Sequence, residues 1–513
     1  MRSRGWALLL LAAAGCSRCA GANIAAAEEL LPAHPSAAVI TAPLGTVAQH
    51  LVALTDRASS LPGGERLGEA RRGVAAQLGF DPLTRDGLLS AGLDPDRGAA
   101  VALFERQEWI ASLPLTKPDL FLNTVQRLLV ERGGFAPAAE QPKAAKIFER
   151  RGQRLGVAVV RGYGILARTP DPAASVTESV ARAAEQTLAR DPGLQAARKR
   201  LGAQDIIAWA PAGSALPRWH TPGALPGDVA VGARGSQQGL ATRLYVQLPP
   251  PDAQRARDFL PGGGATLVEL LPADAPLRAR LGIAPARLLE SVRGNPETAA
   301  LLDRFQGADA EVFASLAPGA AVSLGVAGGA NIGEAIDYGL DWRRKSPFDT
   351  AQLVALAQVS DRPRLLKALE QIASLLPRLG ARAERTGNDF QVTYAAGRGA
   401  RFGVREIEAR PVAYLMGGPL RPEDLRRTPP PANPEAAVLY QDTGAALQLD
   451  FGKLAAALRE MPQTAYGSGP QSYVARSLVG QVIEPLRTVR LTVASEAFGD
   501  GVGGSLDVEL VAP

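Results

Sequence analysis

Cysteine is nearly missing from this chain: 513 residues hold two, Cys16 and Cys19. Both lie near the start, so no disulfide framework can staple the body. Stability must come from burial, which a chain of this length can supply. Histidine is almost as scarce. His34, His50 and His220 are the three, none spaced from another like a metal pair, and no HExxH occurs. Cysteine-histidine zinc sites and a cysteine nucleophile are excluded by count. Lysine occurs seven times, leaving 49 of the 56 basic residues as arginine. Aromatics make up 5%. The basic runs Arg198-Lys199-Arg200 and Arg343-Arg344-Lys345 have no aromatics between them. They read as solvated faces or helix C-termini, and nucleic acid is not an expected partner.

Long apolar runs are missing too. Trp6 to Ala14 is uncharged but nine residues long, where a membrane span needs about 20. Residues 312–333 carry no charge, yet Pro318 and five glycines break them. They read as a turn, a strand over 320–327 and a glycine-rich turn into a helix. Catalytic signatures fail in the same way. There is no GxSxG, no serine with lysine three positions on, and no Walker A lysine. The glycines at 328–333 lack GxGxxG spacing, and Gly467-Ser468-Gly469 is a flexible loop. Asp94-Pro95-Asp96 has too few ligands for an EF-hand, and Asp94 reads as a helix cap. Glu406 and Glu408 alternate on a strand and read as a solvated face. No catalytic residue, metal ligand or cofactor site is nominated.

What is present starts at Met1. Arg2 and Arg4 precede the short apolar run, and Ala13-Ala14-Gly15-Cys16 follows it. This is the layout of a secretory signal. Its end resembles the lipobox of bacterial lipoproteins, with Ala13 where that family usually has leucine. The resemblance implies that Cys16 takes a lipid after cleavage and ties the chain to a membrane. Ser17 in place of aspartate implies passage to the outer membrane, with the body periplasm-facing or at the surface. Cleavage after Ala22 would give a secreted soluble protein instead. Residues 1–15 are thus the signal and 16–27 a tether. The formal charge is +5, or +3 once Arg2 and Arg4 are gone. Composition is otherwise globular, with 46% hydrophobic residues and a mean hydropathy of zero.

The body repeats. Glu29-Leu30-Leu31-Pro32-Ala33 returns 240 residues later as Glu269-Leu270-Leu271-Pro272-Ala273. In the first half, helices are expected at 46–57, 118–132, 175–189 and 192–201. Asp81-Pro82 and Asp94-Pro95 each look like a helix start. Strands are expected at 99–104, 109–115, 145–150, 155–160, 163–168, 206–210, 229–233 and 241–248. Arg161-Gly162 would make a tight hairpin. The second half offers helices at 285–305, 361–376 and 453–460. Its strands are expected at 320–327, 353–359, 389–394, 400–408, 411–416, 436–440 and 446–450, with a hairpin over 489–511. Hairpins outnumber crossovers, so the fold class is α+β: two related repeats, mainly antiparallel sheets with flanking helices. The lobes are placed at 28–250 and 265–513, joined by a linker at 251–264.

Residues 187–195 (TLARDPGLQ) and 205–209 (DIIAW), with the early Leu-Pro-Ala and Gly-Leu-Asp-Pro segments, resemble a family of uncharacterised exported bacterial envelope proteins. That resemblance implies an exported α+β repeat protein and supplies no activity. The first expectation is therefore a non-catalytic envelope lipoprotein that binds or scaffolds an envelope protein or glycan. The alternative is a carrier of a lipid or other apolar ligand. A hydrolase would need two convergent acids of raised pKa in a cleft.

Overall fold

The computed structural model describes residues 26–511 apart from 60, 62–63, 144, 215–226, 327–350, 395–398, 431–436 and 467–469. The signal, Cys16, Cys19, His220, residues 343–345 and the glycine loops at 328–333 and 467–469 lie outside the described residues. The chain divides into two compact units, Met1–Pro249 and Pro250–Pro513.

The described strands of the first unit are β1 (Ala37–Thr41), β2 (Ala100–Leu103), β3 (Trp109–Pro114), β4 (Ala136–Pro137), β5 (Lys146–Arg150), β6 (Gln153–Val160), β7 (Tyr163–Arg168), β8 (Ile206–Ala210), β9 (Val229–Ser236) and β10 (Gly239–Gln247). They form one antiparallel sheet in the order 4-5-6-7-3-2-1-8-9-10. Helices α1 (Leu44–Ala58), α2 (Glu65–Leu78) and α3 (Arg85–Ser90) connect β1 to β2, and α4 (Pro118–Arg127) follows β3. Pro118 sits at the first turn of α4, where its missing N–H costs nothing. Val101, Ala111, Val157 and Leu166 of the sheet share a core with Leu44, Val47, Leu88 and Phe121. The helices thus roof that face. Helices α5 (Pro172–Ala181) and α6 (Pro192–Leu201) lead to β8.

In the second unit, α7 (Pro250–Phe259) and α8 (Ala265–Val268) precede β11 (Leu277–Leu281). Then come α9 (Pro285–Arg293), α10 (Pro296–Leu302), α11 (Ala308–Ala314), β12 (Leu316–Val326), β13 (Ala351–Val359) and α12 (Arg362–Leu375). Strands β14 (Ala381–Thr386), β15 (Asp389–Tyr394), β16 (Ala400–Ile407), β17 (Arg410–Gly417) and β18 (Ala445–Asp450) follow, then α13 (Phe451–Glu460), α14 (Pro470–Ile483), β19 (Val489–Phe498) and β20 (Gly501–Leu510). The sheet is again antiparallel, in the order 14-15-16-17-13-12-11-18-19-20. Counted from each unit's own first strand, the two orders are the same. Glu29 stands eight residues ahead of β1, and Glu269 eight ahead of β11. The fold is α+β with antiparallel sheets.

Local chemistry explains most departures from the sequence reading. Asp81 and Asp94 cap turns rather than helices: each side chain accepts a backbone N–H two residues on, from Leu83 and Asp96. Thr84 is the cap that opens α3. Residues 184–190 make two short 3-10 turns instead of continuing α5. Val438–Tyr440 is a 3-10 turn, not a strand. Part of the stretch read as a linker is α7. Glu408 is not on the strand with Glu406. With Ala409 it forms the β16–β17 turn, both residues at positive φ (52° and 60°). The Arg161-Gly162 hairpin has the same form, at 49° and 78°.

Candidate functional site

Strand side chains alternate between faces, and the covered face is ordinarily the apolar one. Three strands of the second unit, β11, β18 and β19, depart from this rule. In β18 the sequence is Ala-Ala-Leu-Gln-Leu-Asp. Gln448 and Asp450 are buried, while Leu447 is 38% exposed. In β19, Thr492 is buried and Val493 is 44% exposed. In β11, Arg280 is fully buried and its neighbour Leu281 is not.

Register extends the pattern across the sheet. Directly paired residues of antiparallel strands share a face. One row runs Leu415, Ala355, Val322, Ala279, Leu447, Val493, Leu506 over seven strands. Two residues along, a parallel row holds Leu353, Leu324, Leu277, Leu449, Leu491 and Val508, closed by Gly417. A third row on the other side holds alanines, Leu281, Ser495 and Gly504. Among these three rows Ser495 carries the one polar side chain. Leu324, Leu415, Leu447, Val493 and Leu506 are all exposed. So broad an apolar surface is the candidate site of the second unit.

The first unit shows what covering looks like. Its equivalent row runs Val157, Leu166, Ala111, Val101, Val39, Ala208, Val231 and Leu244. The first four lie under helices α1, α3 and α4, while Val231 and Leu244 at the other end are 37% and 42% exposed. Among the described helices of the second unit, α12 covers the β14–β16 end, where Phe390 and Phe402 stack at 5.0 Å and pack against Leu369 and Ala373. Helices α9 to α11 pack on one another and on α12, chiefly away from the sheet. At the far end, Leu458 of α13, Val479 of α14 and Val326, two residues beyond Leu324 on the same face, pack around Met461, Ala465 and Tyr466.

The polar side chains turned inward are satisfied. Arg280 donates from Nε to the Leu439 carbonyl at 3.0 Å, and from its two Nη atoms to Gly444 at 2.7 Å and Thr443 at 2.5 Å. Burial pulls its pKa down, and the Asp442 and Glu496 carboxylates pull it back. Gln448 accepts from Arg278 at 3.0 Å. Asp450 caps α13 through the Lys453 N–H and takes two bonds from Arg490. Helix α8 and the turn at Val438–Tyr440 seal this side over Val354, Val412 and Met416.

The titratable residues weighed and set aside from the sequence do not converge. His34 is exposed, 3.5 Å from Asp191. His50 holds Asp205 through Nδ1 at 2.8 and 3.0 Å, and Asp205 also accepts from the Gly235 N–H at 2.7 Å. This clamps α1 to the sheet. Asp96 pairs with Arg85, and Glu406 and Glu408 go to different arginines, Arg362 and Arg427. A cleft of about 420 Å³ is lined by Arg362, Asn388, Asp389, Val404, Arg405 and Glu406. Burial opposes ionisation of Asp389, but hydrogen bonds from Arg405 and Tyr414 prevail and hold its pKa below the ordinary range. Hydrogen bonds from Arg85, Arg364 and Arg459 likewise lower Asp96, Glu311 and Glu484. A general acid needs the opposite shift. A second cavity, about 300 Å³, mixes Leu270 and Val412 with Glu408, Arg410 and Arg427. Among the described residues no three His, Cys, Asp or Glu side chains gather as a metal site, and no helix is long and apolar enough to cross a membrane.

No protein-family model matches the chain, and no curated protein matches it. Among solved structures, one described as "Structure of crystal form I of TP0453" is similar over 45% of this chain and 85% of that chain, at 9% identity and a TM-score of 0.26. No shared fold follows from a likeness of that size.

Proposed function

We propose that this is a non-catalytic binding protein of the cell envelope, tethered by a lipid on Cys16, and that its working surface is the open aliphatic face of the second unit. The inverted alternation of β11, β18 and β19 carries this reading. A sheet that buries Arg280, Gln448 and Asp450 while leaving Leu447 and Val493 38% and 44% exposed forgoes about two fifths of each side chain's burial, roughly 0.6–1.2 kcal/mol apiece. An occupant for the exposed face would recover it. Of the two occupants expected from the sequence, the face favours an apolar molecule over an envelope protein or glycan. A glycan needs hydrogen-bonding side chains, and the rows offer Ser495 alone. The signal sequence argues for the outer membrane as the place of attachment.

We further read the body as an internal duplication. The shared strand order and the placement of the Glu-Leu-Leu-Pro-Ala segment eight residues before each first strand support it.

The test is binding of the apolar fluorophore N-phenyl-1-naphthylamine to the mature chain. Saturable binding that Leu447→Gln with Val493→Gln weakens by about tenfold, a change of 1.4 kcal/mol, is the expected result. Binding indifferent to that double substitution would remove the face from the argument.

A further inference from the structure

We propose that the open face holds the acyl chains of an anionic phospholipid, its headgroup at the end of the sheet where α13 and α14 stand. The proposal rests on the reading of this face as a binding surface and names what it binds.

The face itself selects against a protein partner. Cores of protein interfaces are enriched in aromatic residues, methionine and arginine, with about one hydrogen bond per 100–200 Å². The three rows contain none of those residue types. Aliphatic side chains without donors or acceptors suit a hydrocarbon. Six strand spacings of about 4.8 Å make each row about 29 Å long. Perpendicular to the rows, the face runs along β12 from Val326, beside α13 and α14, to Ala320, about 20 Å at 3.4 Å per residue. One leaflet is half of a bilayer core of roughly 30 Å, so its acyl chains fit along the strands.

Charge sets the orientation. Around Met461, Ala465 and Tyr466, where Val326, Leu458 and Val479 pack, residues 451–487 hold Lys453, Arg459, Arg476 and Arg487 against Glu460 and Glu484, a positive balance. Arg459 and Arg487 share one carboxylate, Glu484, at 2.6 and 2.9 Å. Two guanidiniums on one carboxylate leave a net positive charge that a phosphate can match, and arginine suits phosphate oxygens. Arg476 stands on the same helix pair, its guanidinium 5.9 Å from the Tyr466 ring centroid. Tyr473, Val474 and Val482 of α14 are exposed and add apolar surface at this end.

The experiment incubates the mature chain with phosphatidylglycerol or phosphatidylcholine vesicles, separates it, and measures retained lipid by native mass spectrometry. One phosphatidylglycerol per chain is expected, with at least about tenfold less phosphatidylcholine. Leu447→Gln with Val493→Gln should abolish retention; both side chains are exposed, so unfolding should be unaffected. Arg459→Gln with Arg487→Gln should keep retention and lose the headgroup preference. Adsorption to vesicles without retained lipid, or a dimer dissolved by the Leu447 and Val493 changes, would overturn the proposal. If naphthylamine binds at the face and phospholipid does not, the ligand assignment alone falls. If neither binds, the face falls with it.

Discussion

Replacing Arg280 tests whether the inward-turned polar side chains are structural. Arg280 is 1% exposed and its described hydrogen-bond partners are backbone carbonyls: Leu439, Thr443, Gly444 and, at 3.4 Å, Gly263. Arg280→Met keeps much of the volume and removes the donors. Thr443 lies in an exposed stretch, so water can reach its carbonyl. The Leu439 and Gly444 carbonyls are not so placed. Two charge-assisted bonds of about 1.5–3 kcal/mol each predict a loss of about 3–6 kcal/mol. Relief of the buried charge offsets part of this. A net loss of about 3–5 kcal/mol is expected, confined to the second unit. Urea unfolding gives the total, and peptide-resolved hydrogen exchange should show residues 439–444 opening first. A loss below about 1 kcal/mol would refute the assigned role. So would full rescue by Arg280→Lys, since an ammonium cannot reach three carbonyls arranged for a fork.

Four further outcomes are expected. A methyl group at Gly164 would lie 2.3 Å from the Phe121 ring, so Gly164→Ala should cost about 1–3 kcal/mol by overpacking, read as a lowered melting temperature. Phe390→Ala removes half of the stacked pair under α12 and should cost about 3–5 kcal/mol in urea unfolding. Because the pKa of Asp389 is depressed in the fold, its contribution is present above the unfolded value of about 3.9 and is lost as pH falls through the folded value. Asp389→Asn should therefore lower the urea midpoint at neutral pH and converge with the parent in acid. Cys16→Ala should move the protein from the membrane to the soluble fraction; an unchanged distribution would end the lipoprotein reading.

Much of the strand content was legible because hairpins write themselves locally. Residues 155–160 and 163–167 are short apolar runs, and Arg161-Gly162 between them supplies the positive φ values that a two-residue turn needs. Asp361 and Asp450 sit where helix caps belong, and each accepts the N–H three residues on. The elements that escaped are those that neighbours impose. Strand β11 reads Leu-Arg-Ala-Arg-Leu, a pattern of an exposed segment until β12 and β18 pair with both its edges. Strand β14 is mostly charged and exposed, as an edge strand should be. The Glu408-Ala409 turn has no glycine to announce it. The open face was half legible. Alternation in 445–450 reveals two faces, but which one is covered depends on α8 and the 438–440 turn, and no local rule contains that.

The contrast between the two units locates the difference that matters. Both sheets have the same strand order and the same first-strand register, so the sheets themselves do not decide which face is open. The connections do. Between β1 and β2 the first unit sends out helices bearing Leu44, Val47 and Leu88, and these return to the sheet. Between β11 and β12 the second unit sends out α9, which buries no side chain, and α11, which ties itself to α12 through the Glu311–Arg364 pair. Among the described residues, the helices between β11 and β12 thus do not return over the sheet as those of the first unit do. The middle strands answer with Leu324, Leu447 and Val493 rather than with the charges an exposed face would otherwise carry. Aliphatic side chains left 37–44% exposed on these strands, in a chain with 21% charged residues, are the feature that the proposed occupant accounts for.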